Sequence, residues 1–351
     1  MRKRRNNVGR RIPTKEAISE VMARLMQAAK HLNPLKRIPH PRITNGGRFD
    51  EEHFVLVLSD LQTGLLTPTY DMAVLKARME YLVEKVLKIV AMHRKSHPVR
   101  KLSIFLIGDV VHGERVGFMI DLDHLERVVR DQMFNGAIPV LSYAIAAFAQ
   151  VFETVDVFCV KGNHGKNGKF AGTTTNFDLF SYIYLQQFFS STKHVTFHIS
   201  DTFHSIADVS GFKFFLVHGD NIPMHLTLPW YGLTTRMMRW SGSVGDFNYL
   251  VCGHFHALSW MFWNDKQIFT NGTFITDDEW SIENIGLSGT CGQLLLSVHP
   301  KVGVSFVRAI QMQRAIPTCP RHLDYKGLHK PRTVCDTCLR LWRIRQKGGE
   351  R

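Results

Sequence analysis

The sequence contains no long uninterrupted apolar run. Its longest, around 137–152, is broken by Ser142 and Gln150 and falls short of the roughly 20 apolar residues that a membrane span needs. The basic start, MRKRRNNVGRR, has no apolar segment behind it, so it does not read as a secretory signal. Cysteine is scarce, at six residues in 351. Cys159, Cys252 and Cys291 stand alone, and the other three cluster near the C-terminus. That distribution argues against a disulfide framework and fits a reducing compartment. The expected location is the cytoplasm (a host's cytoplasm if the chain is phage-encoded), with no membrane partner. No repeat shows at the usual periods.

Acidic residues are nearly missing from both ends. Residues 1–48 hold two, Glu16 and Glu20, against thirteen basic ones. Residues 301–351 hold three acidic residues against twelve basic, whereas 49–300 hold 25 acidic and 19 basic. The formal charge of +14 is therefore a mildly acidic middle between two basic ends. Such a middle suits cations, and such ends suit a polyanion. Three parts follow: a basic N-terminal arm and helix (1–48), a main domain (49–310) and a basic tail (311–351).

In the first part, 1–14 reads as the arm, and 15–32 has helical spacing of apolar residues, followed by a loop with Pro34, Pro39 and Pro41. The main domain opens with FVLVLSD (54–60), an apolar strand ending in an acid. KLSIFLIGD (101–109), VDVFCVKGNH (155–164), GFKFFLVHGD (211–220) and FNYLVCGHFH (247–256) repeat the pattern. Helices are expected over 71–94 and about 119–152, and further strands in WMFWN, QIFTNGTF, GQLLLSVHP and VGVSFVRAI. Strand and helix alternate in the first half, and strands dominate the second. An α/β fold results, with a mixed, layered sheet core and helices outside.

Each of the five strands ends in residues able to bind a metal: Asp60-Leu61-Gln62, Gly108-Asp109 with His112, Gly162-Asn163-His164, His218-Gly219-Asp220 and Gly253-His254-Phe255-His256. A strand carries its ligand to the sheet edge, and a glycine-bearing loop then turns away. Any one such ending is commonplace. Five in order on apolar strands point to a metal centre.

This ordered set resembles the calcineurin-like metallophosphoesterases over about residues 53–300. The resemblance implies a four-layer αββα sandwich of two mixed sheets with a two-metal site at the strand ends. It implies that Asp60 and His256 serve one metal, that Asp109 bridges both, and that Asn163, His218 and His254 serve the other. A water bridging the metals would attack phosphorus, and His164 would give a proton to the leaving group. Carboxylate, amide and imidazole donors suit two divalent cations, manganese first, with iron, magnesium or zinc also compatible. Such a pair can clamp a phosphoryl group. The family's first motif usually reads Asp-x-His, and here position 62 is Gln. Gln62 can ligate through its carbonyl oxygen, more weakly than imidazole, or leave its place to water.

The second motif reads GDVVHGE (108–114). His112 resembles the Gly-Asp-x-x-His form of the DNA-repair exonuclease (SbcD-like) branch, where this histidine supports the catalytic one. That implies a nuclease, with DNA favoured over RNA as the partner. The loop 165–176, with Lys166 and Lys169, is basic and hydroxyl-rich and offers phosphate contacts. Arg236 and Arg239, among Trp230, Tyr231 and Trp240, suit unpaired bases, although the same stretch suits a helix packing Trp and Met into the core.

In the tail, Cys319-x2-His322 is followed, after twelve residues, by Cys335-x2-Cys338. Both pairs have the spacing of a structural zinc knuckle, with His329 as a competitor for His322. A segment this short builds little core, so zinc would supply its folding energy. Its basic surroundings fit nucleic acid, and the module equally fits docking to a protein. The function expected from the whole is a two-metal phosphodiesterase, a DNA exo- or endonuclease. A phosphomonoesterase, or a catalytically inactive binding subunit that keeps the fold, are the alternatives.

Overall fold

The computed structural model describes residues 49–349, apart from 117–118, 121–124, 167–174, 227, 279–281, 284–285, 287–288, 316, 318, 320, 323–324, 326, 328 and 333. The N-terminal arm and its helix (1–48), Lys169 and most of the loop after Asn163-His164 lie outside the described residues.

Strands β1 (His53–Leu58), β2 (Lys101–Ile107), β5 (Thr154–Val160), β6 (Val195–Ile199), β12 (Gly292–His299) and β13 (Gly303–Gln311) form a six-stranded sheet in the order β13-β12-β1-β2-β5-β6. β1, β2, β5 and β6 run parallel, while β12 pairs antiparallel with both β1 and β13. The second sheet contains β7 (His204–Val209), β8 (Phe212–Val217), β9 (Tyr249–Cys252), β10 (Ser259–Trp263) and β11 (Lys266–Thr270), ordered β10-β11-β9-β8-β7. Its central strands β8, β9 and β11 are parallel, and its outer strands are antiparallel. A two-residue ribbon, β3 (Arg115–Val116) with β4 (Met119–Ile120), stands apart.

Side-chain alternation explains the layers. Along β1, Val55 and Val57 face the second sheet and meet Phe214, Leu216 and Val251. Phe54, Leu56 and Leu58 face the other way, onto a helical layer. Strands buried on both faces read as continuous apolar runs, as HFVLVL does. The helical layer is α1 (Met72–His93), α2 (Val129–Ala149, with a π turn at Met133–Ala137) and α3 (Phe177–Phe188). On the far side, α4 (Trp230–Ser243) packs Leu233, Met237 and Trp240 on Phe215, Leu250 and Ile268. The result is an α/β, four-layer sandwich of two mixed sheets.

Two expectations change in detail. The helix expected from about residue 119 starts at Val129, because 119–120 belong to β4. By length and composition, α2 would be apolar enough to cross a membrane, but 67% of its most apolar window is buried inside the fold. Its hydropathy reflects its place as a core helix under the first sheet.

Candidate metal centre

The parallel strands β1, β2, β5, β8 and β9 all deliver their last residues to one edge, where ligands gather in open-sheet folds. The loops after β1 and β2 stay zipped together: Asp60 N–H donates to Gly108 O (3.2 Å), Gln62 N–H to Asp109 O (2.9 Å) and His112 N–H to Thr63 O (3.0 Å). At this edge Asp60, Gln62, Asp109, His254 and His256 all have positive φ, between 42° and 65°. Non-glycine residues are rarely held there, and such strain clusters at functional sites.

The motif glycines have a steric reason. A Cβ at Gly162 would stand 2.1 Å from Asp109 Oδ1 and 2.4 Å from Asp109 N. One at Gly253 would stand 2.6 Å from Asp60 Oδ2. Each glycine lets a neighbouring loop close on a carboxylate.

Asp109, His218 and His254 each aim one donor atom at a common point, all within 4.8 Å of one another. His218 donates from Nδ1 to Ile107 O (2.8 Å), which turns Nε2 inward. That Nε2 lies 3.0 Å from Asp109 Oδ2 and 3.0 Å from Asn163 Oδ1. Asp109, Asn163, His218 and His254 thus come together. On the other side, His256 Nε2 lies 3.3 Å from Asp60 Oδ1, and His254 N–H donates to Asp60 Oδ2 (3.1 Å).

Among the described residues, the buried carboxylates of the site pair with imidazoles alone. Asp60 and Asp109 are 0% and 1% exposed, and among the described residues no Lys or Arg pairs with either. Buried carboxylates need a partner charge. Burial opposes the charged form of Asp109, yet His218 and His164 hold its carboxyl well below the usual range. Burial also opposes the His218 cation, but Asp109 raises its pKa to about 10. For His254, burial and then the charge of His218 lower the pKa to about 4. This carboxylate, imidazole and amide donor set fits divalent first-row cations. Asp109, Asn163, His218 and His254 would hold one, and Asp60, His256 and the shared Asp109 the other.

Gln62 does more than fill a gap. Its Nε2 lies 3.1 Å from His256 Nε2, and its Oε1 lies 3.3 Å from His112 Nδ1. The amide bridges two histidines, with its carbonyl oxygen turned to His112. His112 meets His164 twice: His164 Nδ1 donates to His112 O at 3.1 Å, and the two rings lie 5.0 Å apart. That bond leaves His164 Nε2 facing the site, 3.9 Å from Asp109 Oδ2. The His164 N–H donates to Asp109 Oδ1 (2.8 Å).

Sequence reasoning missed Asp178, in the first turn of α3. It is fully buried, and its carboxylate accepts from Asp109 N (2.9 Å), Gly162 N (2.8 Å), Val110 N (3.1 Å) and Val111 N (3.4 Å). One side chain therefore ties the second and third motif loops together. Burial, then the charge of Asp109, raise its pKa to about 6. Asn176 caps α3 and donates from Nδ2 to Gly162 O (2.9 Å). The only sequence signal was an Asn N-cap with an acid two residues later, which reads as ordinary capping.

The proposed nucleic-acid contacts divide. Lys166 reaches the site's rim but pairs with Asp220 at 2.6 Å. Arg236 is half-buried and Arg239 exposed on α4, on the outer face of the second sheet. Trp240 stacks on Phe215 (5.2 Å, 18°) and belongs to the core. In the tail, Cys319, His322, Cys335 and Cys338 come together with donor atoms all within 4.8 Å, so His322 holds the place for which His329 competed.

No family model and no curated protein matches the sequence. Solved structures do. An archaeal phosphodiesterase is 12% identical, covering 74% of this chain and 99% of its own, with a TM-score of 0.35. Wild-type Vps29 from Entamoeba histolytica in complex with Zn2+ gives 12%, 74%, 99% and 0.35. A predicted phosphoesterase from Streptococcus pneumoniae gives 11%, 74%, 98% and 0.32. At such values the residue assignments rest on the chain's own geometry.

Proposed function

We propose that the chain is a calcineurin-like metallophosphoesterase that hydrolyses phosphodiester bonds with two divalent cations, and that its substrate is nucleic acid, DNA ahead of RNA. The carrying observation is the convergence of Asp109, His218 and His254 on one point, beside Asp60 and His256. When bound, the cations would neutralise phosphoryl charge and acidify a water for attack. The protein's own part is positional. The His164 ring is fixed by its Nδ1 bond to His112 O, so Nε2 is the atom that can give a proton to a departing oxygen. Asp178 holds the Asp109 loop against the Gly162 loop, which keeps His164 in register with the bridging carboxylate.

Nuclease action is supported by His112, the residue that resembles the nuclease branch: its ring lies 5.0 Å from that of His164, and its main-chain oxygen accepts from His164 Nδ1. The basic ends support a polyanionic substrate. An inactive binding subunit is the second reading, and one observation favours it: Gln62 stands where the family has a ligating imidazole, and its amide is engaged by His112 and His256. The test compares labelled single- and double-stranded DNA with a phosphomonoester, in Mn2+. Cleavage of DNA is the expected result. Turnover of the monoester alone would remove the nuclease reading, and no turnover with any divalent metal would favour the binding subunit.

A further inference from the structure

The tail carries a second metal site, chemically unlike the first. Cys319 and His322 face each other across a tight turn, joined by an isolated bridge, with His322 N–H donating to Cys319 O (3.2 Å). Cys335 precedes α5 (Asp336–Gly349), and Cys338 lies in its first turn. Cys319 Sγ is 3.8 Å from Cys335 Sγ and 3.6 Å from His322 Nδ1, while Cys338 Sγ is 3.2 Å from the same Nδ1. A regular zinc tetrahedron with ligand bonds of about 2.3 Å (S) and about 2.0–2.1 Å (N) has edges of about 3.8 Å (S···S) and about 3.6 Å (S···N). Two of the three separations fall on those edges. All three cysteines are free thiols, and 3.8 Å is far beyond a disulfide bond of about 2.05 Å.

The apolar core around the site is small. Its buried members are Cys319, Cys338 and Leu341, with Tyr325 and Cys335 packed against them. Two of the three buried residues are the prospective ligands, so without a metal little would hold the turn closed. Three thiolates and one imidazole around Zn2+ leave a net charge of −1. Lys330 and Arg332 line the adjoining cleft with His322 and Cys338, and are placed to balance that charge.

Two residues beyond Cys338, Arg340 pairs through Nη1 with Asp71 Oδ2 at 2.5 Å. Asp71 is the N-cap of α1, its other oxygen accepting from Val74 N (2.7 Å), and its side chain is 8% exposed. We propose that Cys319, His322, Cys335 and Cys338 bind one Zn2+, and that the closed knuckle works as a staple on this chain's own catalytic domain, presenting Arg340 to the cap of α1. This is independent of the substrate proposed above.

The test uses the full chain loaded with Co2+ in place of zinc. Thiolate-to-cobalt charge transfer reports the tail alone, because the strand-end site offers oxygen and nitrogen donors. The band is expected in the wild type, reduced at least tenfold in Cys335→Ser, and kept in His322→Cys, which preserves four ligands. Thermal unfolding then tests the staple. Arg340→Ala should lower the Tm of the zinc-loaded chain by about 1–2 °C, the size expected for one partly buried pair in a domain this large. It should have no effect in the Cys335→Ser background. Absence of the band in the wild type, or its survival in Cys335→Ser, overturns the site. If Cys335→Ser does not fold, His322→Cys still decides, since loss of the band there overturns the site. An equal Tm loss from Arg340→Ala in both backgrounds overturns the staple.

Discussion

Replacing Asp178 by Asn tests whether the centre is organised from beneath. The change keeps size and shape but leaves one oxygen for two pairs of donors. Oδ2 serves Asp109 N and Gly162 N, and Oδ1 serves Val110 N with a longer bond to Val111 N. In the Asn variant one pair faces an NH2 group. Two buried N–H groups left unmet cost ~1–3 kcal/mol each. Removing a buried negative charge beside Asp109 offsets part of this, since that charge is disfavoured enough to raise the Asp178 pKa to about 6. A net loss of ~2 kcal/mol follows, or a Tm lower by roughly 3–4 °C. The functional loss should be larger, because the two loops carry Asp109, Asn163 and His164. Residues that orient metal ligands typically alter affinity or activity by about 10–100-fold. Calorimetric Mn2+ titration and thermal unfolding of the same preparation measure both. A variant with Tm within about 1 °C of wild type and Mn2+ affinity within about twofold would show that Asp178 does not organise the centre.

Gly162→Ala should weaken Mn2+ binding at least tenfold while the protein stays folded, because the new methyl would displace Asp109 Oδ1 from 2.1 Å away; unchanged affinity in the same titration would contradict the steric argument. Gln62→His should tighten the weaker of two Mn2+ binding steps by about tenfold, since imidazole is the better ligand, and a single unchanged step would show that position 62 does not limit the site. Glu52 sets an acid limit on stability. Its side chain is 4% exposed; burial opposes its charge, but bonds from His93, Ser297 and Ser305 hold its pKa at about 2. Because the folded value lies below the ordinary 4.5, the stabilisation, ~3 kcal/mol, is complete above pH 4.5 and lost as pH falls towards 2. Denaturant unfolding of wild type and Glu52→Gln should differ by about that amount at neutral pH and converge near pH 2; a constant difference across the range would contradict it.

The sheet core and the strand-end cluster of Asp, Asn and His were legible because they follow from side-chain pattern: apolar runs such as KLSIFLI, each closed by one of those residues. What the sequence concealed acts through the main chain or across distant loops. His112 meets His164 with its ring and also with its carbonyl oxygen, and the second contact, made by an atom every residue carries, leaves no mark in the sequence. Asp178 reads as a helix-capping acid until the fold sets it under two loops. β6 and β7 passed unnoticed because their burial is broken, as the alternating VTFHI shows. Trp240 fits base stacking and core packing equally well in sequence, and only the placement of α4 on Phe215 separates them.

His164→Ala most directly tests the proposal that the strand-end site is a metal-dependent hydrolytic centre in which His164 moves a proton. His164→Ala isolates that role, since the bond to Asp109 Oδ1 comes from the main-chain N–H and survives the change. Mn2+ binding and DNA cleavage should be measured together on the variant and the wild type. Expected are wild-type cleavage that requires Mn2+ and a variant that binds Mn2+ as wild type does yet cleaves at least 100-fold more slowly, the size of a general acid's contribution of about 10²–10⁴. Equal cleavage by the two proteins, or cleavage by neither in the presence of bound Mn2+, would contradict the proposal.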